Sequence, residues 1–464
     1  MIWRIAKREW TDWSRDRWRV GAAVLVALVA LAAGVTGAVA AGARASAAAA
    51  AQRADYARWL AQPPRNLHSA SHFGMSAFYV PSRLSVIDPG VGAYAGSALF
   101  LEAHKQNEPV FPEAVDRGAA ARFGELSLST VLQIWIPLIV VLLGGGTLAA
   151  DREYGILSQL LATGVSPRQV AAGKALAVAV ASLAIIAPAI VGVGLALGRD
   201  AGAWPVDAGW RMAALATAAA AYLLFWVALT TAVSAHARSW RTAIAALATI
   251  WCVAVVILPR LATDVARERN PLPSRAEQDR RELEARILGP GGAEARRQAI
   301  LAEYGVRTPE ELPIHINVII ARRAEERINA RLDARMQANT AVYEAERGDY
   351  LRAAWLTPSI AMDLASAGAA GSDDVHYRAF LARAEHYRRQ MMELLTDADV
   401  RKPGERARRA DTATWSQMPV FQPEVPLLGE TASGVGVALA ALGAWSLAAC
   451  GSAAWAVSRM GART

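Results

Sequence analysis

Apolar residues along this chain collect into six long runs, at roughly 20–42, 128–150, 170–198, 209–234, 242–262 and 432–457, each nearly free of charge. About twenty apolar residues in a helix cross a hydrocarbon core. Lipid offers no partners to a bare backbone, so helices are the economical way across. The polar stretches between the runs are unequal: 43–127 and 263–431 are long, whereas 151–169, 199–208 and 235–241 are short. The pattern predicts an all-α membrane protein. It would have an amphipathic cytoplasmic helix over 1–19, six transmembrane helices, a mainly helical extracytoplasmic domain over 263–431 and a cytoplasmic tail over 458–464. No internal repeat stands out.

Periodicity refines the polar parts. Trp3, Ala6, Trp10 and Trp13 recur at helical spacing opposite Arg4, Arg8 and Arg15, the pattern of a helix lying in the membrane interface. "AVA" at 38–40 resembles a cleavage site, but the apolar run is too long and the basic region too rich in tryptophan for a signal peptide, so the first run reads as a retained anchor. In the last long loop, Ser274 with Glu277 and Thr308–Pro309 with Glu311 are helix starts, with Pro313 able to interrupt the second. "GPGG" at 289–292 is a break. Ile328, Leu332, Met336 and Asn339 make one stripe; Phe380, Ala384, Tyr387 and Met391 make another, on a helix that Ser372 can cap. Both stripes read as packing between helices of the outer domain rather than as a partner surface. Glu282 with Arg286 and Arg322 with Glu326 are spaced as helical ion pairs. In the first long loop, "ASAAAAAQRADYARWLA" reads as helix, "ALFLEAHKQNEP" as a short strand or helix, and "QPPRN", "VPSRL" and "IDPG" as turns. The two loops lie on one side and can form one domain.

Composition agrees with a membrane protein: 54% of the 464 residues are hydrophobic. The formal charge of +8 is mostly arginine, with lysine only at 7, 105, 174 and 402. Without a compact basic domain, that excess fits lipid headgroups better than nucleic acid. Short flanks set the orientation. Arg4, Lys7, Arg8, Arg15, Arg17 and Arg19 precede the first run; Arg152, Arg168, Lys174, Arg238 and Arg241 lie in short connections; Arg459 and Arg463 follow the last run. All fall on one side, which is then the cytoplasm, with both termini there and the membrane a bacterial inner membrane. Cys252 and Cys450 lie inside apolar runs and read as packing residues.

Enzyme chemistry is hard to find. No phosphate-binding G-x-x-x-x-G-K-[ST] loop and no G-x-S-x-G elbow occur. His68 and His72 can share a helical face, but no H-E-x-x-H pattern surrounds them and the nearest acid is Asp88; a solvated loop is the simpler reading. His376 and His386 lack a clear third ligand. The runs contain no central Asp, Glu, Lys or Arg, which argues against ion coupling inside the bundle. Pro137, Pro188 and the glycines at 144–146 leave room for bending, and Gln133, Thr230 and Thr231 are ordinary polar packing residues. This chain has no cofactor site and no source of power of its own.

The connection "DREYGILSQLLATGVSPRQVAAGK", 151–174, is too long for a plain reversal. "ILSQLLA" makes two helical turns with Leu157, Leu160 and Leu161 on one side. Gly164 suits a left-handed stop, and Ser166 can cap a new helix with Pro167 at its first position. This span–short helix–span arrangement resembles the permease subunits of type-2 ABC exporters, in a branch with large extracytoplasmic insertions. The family's acid, glycine, leucine-rich turn, small-residue or proline turn and Gly-Lys read here as Glu153, Gly155, Leu157, Leu160, Leu161, Ser166–Pro167 and Gly173–Lys174. Ile156 stands where the family usually has threonine. The resemblance implies that the short helix docks in a groove of a separate ATPase, whose dimer binds ATP and Mg. The expected interface is Asp151, Arg152, Glu153, Gly155, Leu157, Leu160, Leu161, Ser166, Pro167, Arg168 and Lys174. It also implies a second permease copy or a related chain. The alternative is a complex that uses ATP hydrolysis to act mechanically on an envelope partner through the outer domain, without transport.

Overall fold

The computed structural model describes residues 1–92, 94–112, 126–199, 204, 206–274, 276–277, 280, 292–406 and 409–460. The expected Glu282–Arg286 pair, the break at 289–291 and Arg463 lie outside these residues. An N-terminal helix α1 (Ile2–Arg15) turns at Asp16, whose carboxylate accepts from the N–H groups of Trp18 and Arg19 and so starts α2 (Arg17–Leu60). Then come α3 (Leu67–Phe73), α4 (Leu128–Glu153), α5 (Ile156–Ala162), α6 (Pro167–Arg199), α7 (Ala208–His236) and α8 (Trp240–Arg269). α9 (Ala293–Tyr304), α10 (Ile316–Ala353), α11 (Pro358–Ala370), α12 (Asp374–Ala398), α13 (Thr412–Trp415) and α14 (Leu428–Ser458) follow among the described residues. Six of these, α2, α4, α6, α7, α8 and α14, are long and apolar enough to cross a membrane. The protein is an all-α membrane protein, as its pattern predicts.

α4 is the central span: 67% of its most apolar window is buried, against 22% for α2 and 17% for α8, so the last two present most of their surface to lipid or to another chain. Two spans contain π-helical turns, Val131–Trp135 in α4 and Cys252–Ile257 in α8. Such turns disturb the regular carbonyl ladder, and side chains from neighbouring helices reach theirs. Tyr222 Oη donates to Gln133 O at 2.9 Å, Trp251 Nε1 to Ile134 O at 3.2 Å, and Thr357 Oγ1 to Ala254 O at 2.7 Å. The glycines at 144–146 do interrupt α4, and Ser234 Oγ accepts from Leu148 N at 3.1 Å and Ala149 N at 3.2 Å just beyond the interruption.

The loop 263–431 is not wholly an outer domain. The turn after α10 descends into the bundle, and α11 packs between α7 and α14 with most of its residues buried. Tyr222 Oη lies 3.2 Å from Ser359 Oγ, and Trp445 Nε1 donates to Ala354 O at 3.3 Å. Tyr222 and Trp445 sit near the middles of α7 and α14, so α11 starts near mid-span depth. Thirteen residues are too few to cross, which hid α11 from a reading by length.

On the side away from α1, here the far side, the two long loops do share one core. Trp59, Met75 and Leu101 from the first pack with Phe380, Ala384, Tyr387, Met391 and Trp415 from the last. Trp59 Nε1 donates to Trp415 O at 2.9 Å, and β1 (Arg65–Asn66) pairs with β6 (Arg409–Ala410). A small antiparallel sheet stands beside them: β2 (Met75–Phe78) pairs with β3 (Gly96–Glu102), which also pairs with β4 (Lys105–Gln106) and β5 (Val110–Pro112). "ALFLE" is thus a strand. Asp373, not Ser372, caps α12, accepting from His376 N at 3.2 Å, because Ser372 Oγ is spent on Asp88 O at 2.7 Å. α10 starts only at Ile316, past Pro313; its stripe at 328–339 is half-buried, whereas the α12 stripe is fully buried. Arg322 reaches across to Asp397 at 2.7 Å instead of along its own helix to Glu326.

Candidate functional site

The 151–174 connection is a junction. Gly155 (φ 74°) and Gly164 (φ 82°) bracket α5 in left-handed conformations that a side chain would strain. Ser166 Oγ accepts from Gln169 N while Gln169 Oε1 accepts from Ser166 N, a reciprocal cap that launches α6 at Pro167. Leu157 is fully buried in a small core with Leu148, Val170, Ala235, Val457 and Met460, and Leu160 and Leu161 pack at its edge. This core draws on four spans, α4, α6, α7 and α14.

The three charges before α5 each hold a different helix. Asp151 Oδ2 lies 2.8 Å from Lys174 Nζ on α6, and Lys174 also meets Glu9 Oε1 of α1 at 2.5 Å. Arg152 donates to Ala235 O at 2.6 Å and to Ala237 O at 2.7 Å, closing the C-terminal end of α7. Glu153 Oε2 accepts from Trp240 N at 3.1 Å, at the N-terminus of α8. A cation at a helix C-terminus and an anion at an N-terminus both complement the helix dipole. α1 is drawn in further by Trp10 Nε1, which donates to Ala177 O at 3.0 Å, and by Gly173, where a Cβ would come within 2.7 Å of Ile5.

The predicted interface residues therefore divide. Leu157 and Lys174 face inward, and Asp151, Arg152 and Glu153 are engaged within the chain. The outward face holds Gly155, Ser166 and Arg168, with Pro167 half-buried. It also holds Tyr154, Ser158, Gln159 and Thr163, which sequence reasoning passed over because they carry no charge and no motif. The helical phase of α5, set by burial of Leu157, reveals Ser158 and Gln159, and Tyr154 and Thr163 stand exposed at either end of that helix.

On the far side, a cavity of about 860 Å³ opens between the bundle and the outer domain, lined among others by Asp88, Gln133, Arg347, Tyr350, Asp363, Asp373 and Tyr377. Asp363 Oδ2 accepts from Tyr350 Oη at 3.2 Å. Burial raises Asp88, against hydrogen bonds from Ser366 and Gly90. Asp373 lies below the usual carboxylate range: His376, at 2.5 Å, and Arg347 outweigh the cost of its burial.

Six spans, an N-terminal amphipathic helix and a polar junction at one end define a polytopic membrane protein. The chain belongs to the ABC-2 family of transporter proteins, whose family model matches residues 3–293, so it is a permease subunit of an ABC system. A second model, a domain of unknown function (DUF3526), matches residues 276–424 and so covers most of the last long loop, α11 included. None of the curated proteins matches the chain.

Proposed function

We propose that this chain is the export permease through which a separate ABC ATPase does its work, and that α5 is the coupling helix. The observation that carries the reading is the anchoring of α5: its buried side shares a core with α4, α6, α7 and α14, and its outward side is free for a partner. An ATPase dimer that binds ATP and Mg would press on Tyr154, Ser158, Gln159, Thr163 and Arg168. The Asp151–Arg152–Glu153 junction would divide the push among α6, α7 and α8. In this reading the side bearing α1 is the cytoplasmic face of a bacterial inner membrane. The second permease copy packs against the little-covered α2 or α8, and the far-side cavity is the outer vestibule of the path.

Gln159→Arg and Tyr154→Ala alter only the outward side of the junction. Each is expected to reduce co-purification of the ATPase about tenfold, the effect of roughly 1.4 kcal/mol, with the melting temperature of the permease unchanged. Undiminished co-purification and ATPase activity in both variants would reject the docking surface.

One observation favours mechanical transmission as a second reading. α2 runs unbroken for 44 residues from the turn at Asp16 into the outer core at Trp59, a stiff rod joining the two ends. Movement of a label on α3 during ATP turnover, with no substrate crossing the vesicle membrane, would favour it over export.

A further inference from the structure

Three histidines from two separate stretches of sequence meet on the outer domain. α3 puts His68 and His72 on one helical face, and Asn66 caps that helix through a 2.6 Å bond from Ser69 N. The third, His104, stands in the two-residue turn between β3 and β4. Pairing of β2 with β3 carries this turn back over α3, where Ala103 N donates to Ser71 O at 3.0 Å. The ligand-capable nitrogens lie within 4.8 Å of one another, and the ring centroids are 4.9, 5.4 and 5.6 Å apart.

The surroundings are those of a cation site. Glu325 Oε2 lies 2.6 Å from His104 Nδ1, and Glu102 Oε2 lies 4.0 Å from His72 Nδ1. Metal-bound imidazoles typically have a carboxylate on the nitrogen that does not bind the ion, and the His104–Glu325 bond has this form, whereas Glu102 lies beyond hydrogen-bond distance of His72. Glu325 is itself fixed, because the buried Arg388 donates to its Oε1 at 3.1 Å. Packing does not explain the cluster: His68 and His72 are exposed, and His104 holds a left-handed backbone (φ 61°) that costs a non-glycine residue energy. A small cavity lined by His68, His104 and Glu325, but not by His72, adjoins the cluster.

We propose that His68, His72 and His104 bind a divalent transition-metal ion of the zinc class through three imidazole nitrogens, with a fourth position left to water. Tetrahedral zinc at about 2.0–2.1 Å from each nitrogen draws them to roughly 3.4 Å apart, which rotation of the exposed His68 and His72 side chains supplies. The bound ion clips α3 to the β3–β4 turn. Through Glu325 and Arg388 it tightens the join between the first long loop and helices α10 and α12 of the last.

The test uses the full chain in detergent, purified without a polyhistidine tag, stripped with chelator and titrated with Zn²⁺ and, separately, Co²⁺. The expected result is one ion per chain at micromolar concentration, with the visible absorption of tetrahedral Co²⁺. His72→Ala and His104→Ala are each expected to weaken binding about a hundredfold or more, and Glu325→Gln by about 10- to 100-fold. His386→Ala, an exposed histidine on α12, is expected to leave binding unchanged. Zn²⁺ should raise the melting temperature of the wild type but not that of His72→Ala, whose exposed side chain the fold does not need. No binding at micromolar Zn²⁺, or equal binding by wild type, His72→Ala and His104→Ala, overturns the proposal.

Discussion

Lys174 illustrates what a single residue decides here. It is almost fully buried between two carboxylates, Glu9 and Asp151. Removing one partner of a buried ion pair leaves the other charge uncompensated, at a cost of about 3–5 kcal/mol. Lys174→Met is therefore expected to lower the melting temperature sharply and to expose α1 to protease, whereas Arg168→Met on the outward face should leave both unchanged. Sequence marks Lys174 and Asp151 as charged and near a membrane. It does not tell whether such charges face a partner or each other, because that depends on how α1 lies against α6.

Among the elements, α5 and α11 teach opposite lessons. The start and stop of α5 are local chemistry, Gly155, Gly164 and the Ser166–Pro167 cap, and they are legible in the sequence at those positions. What α5 shows to a partner follows from the burial of Leu157, a tertiary fact. α11 is legible as an apolar stretch, but its insertion between α7 and α14 rests on contacts such as Tyr222 with Ser359 and Trp445 with Ala354, nearly a hundred residues or more apart in the chain. α1 gives a test at this scale. Gly173→Leu places a side chain where Ile5 and the backbone oxygen of Ile2 already sit, so α1 must lift from α6. The expected outcome is loss of α1 protection in hydrogen exchange, with α4 and α7 protected as before.

For the whole molecule, the two ends are joined by long helices but held by different cores. Trp59→Ala empties a fully buried site in the outer core, at a cost of about 3–5 kcal/mol. It should open the outer domain to proteolysis while the membrane-embedded fragments stay intact; a global collapse of the bundle would instead show that the two cores fold as one. By itself the sequence determined the membrane class, the six spans and the limits of α5, because each rests on local composition and spacing that lipid or backbone geometry reads directly. Only the tertiary structure decided that the two outer loops share a core, that α11 re-enters the bundle, that the charges of 151–174 tie helices together, and that His104 joins His68 and His72. Each of those depends on residues distant in the chain being brought together, and no local pattern encodes that distance.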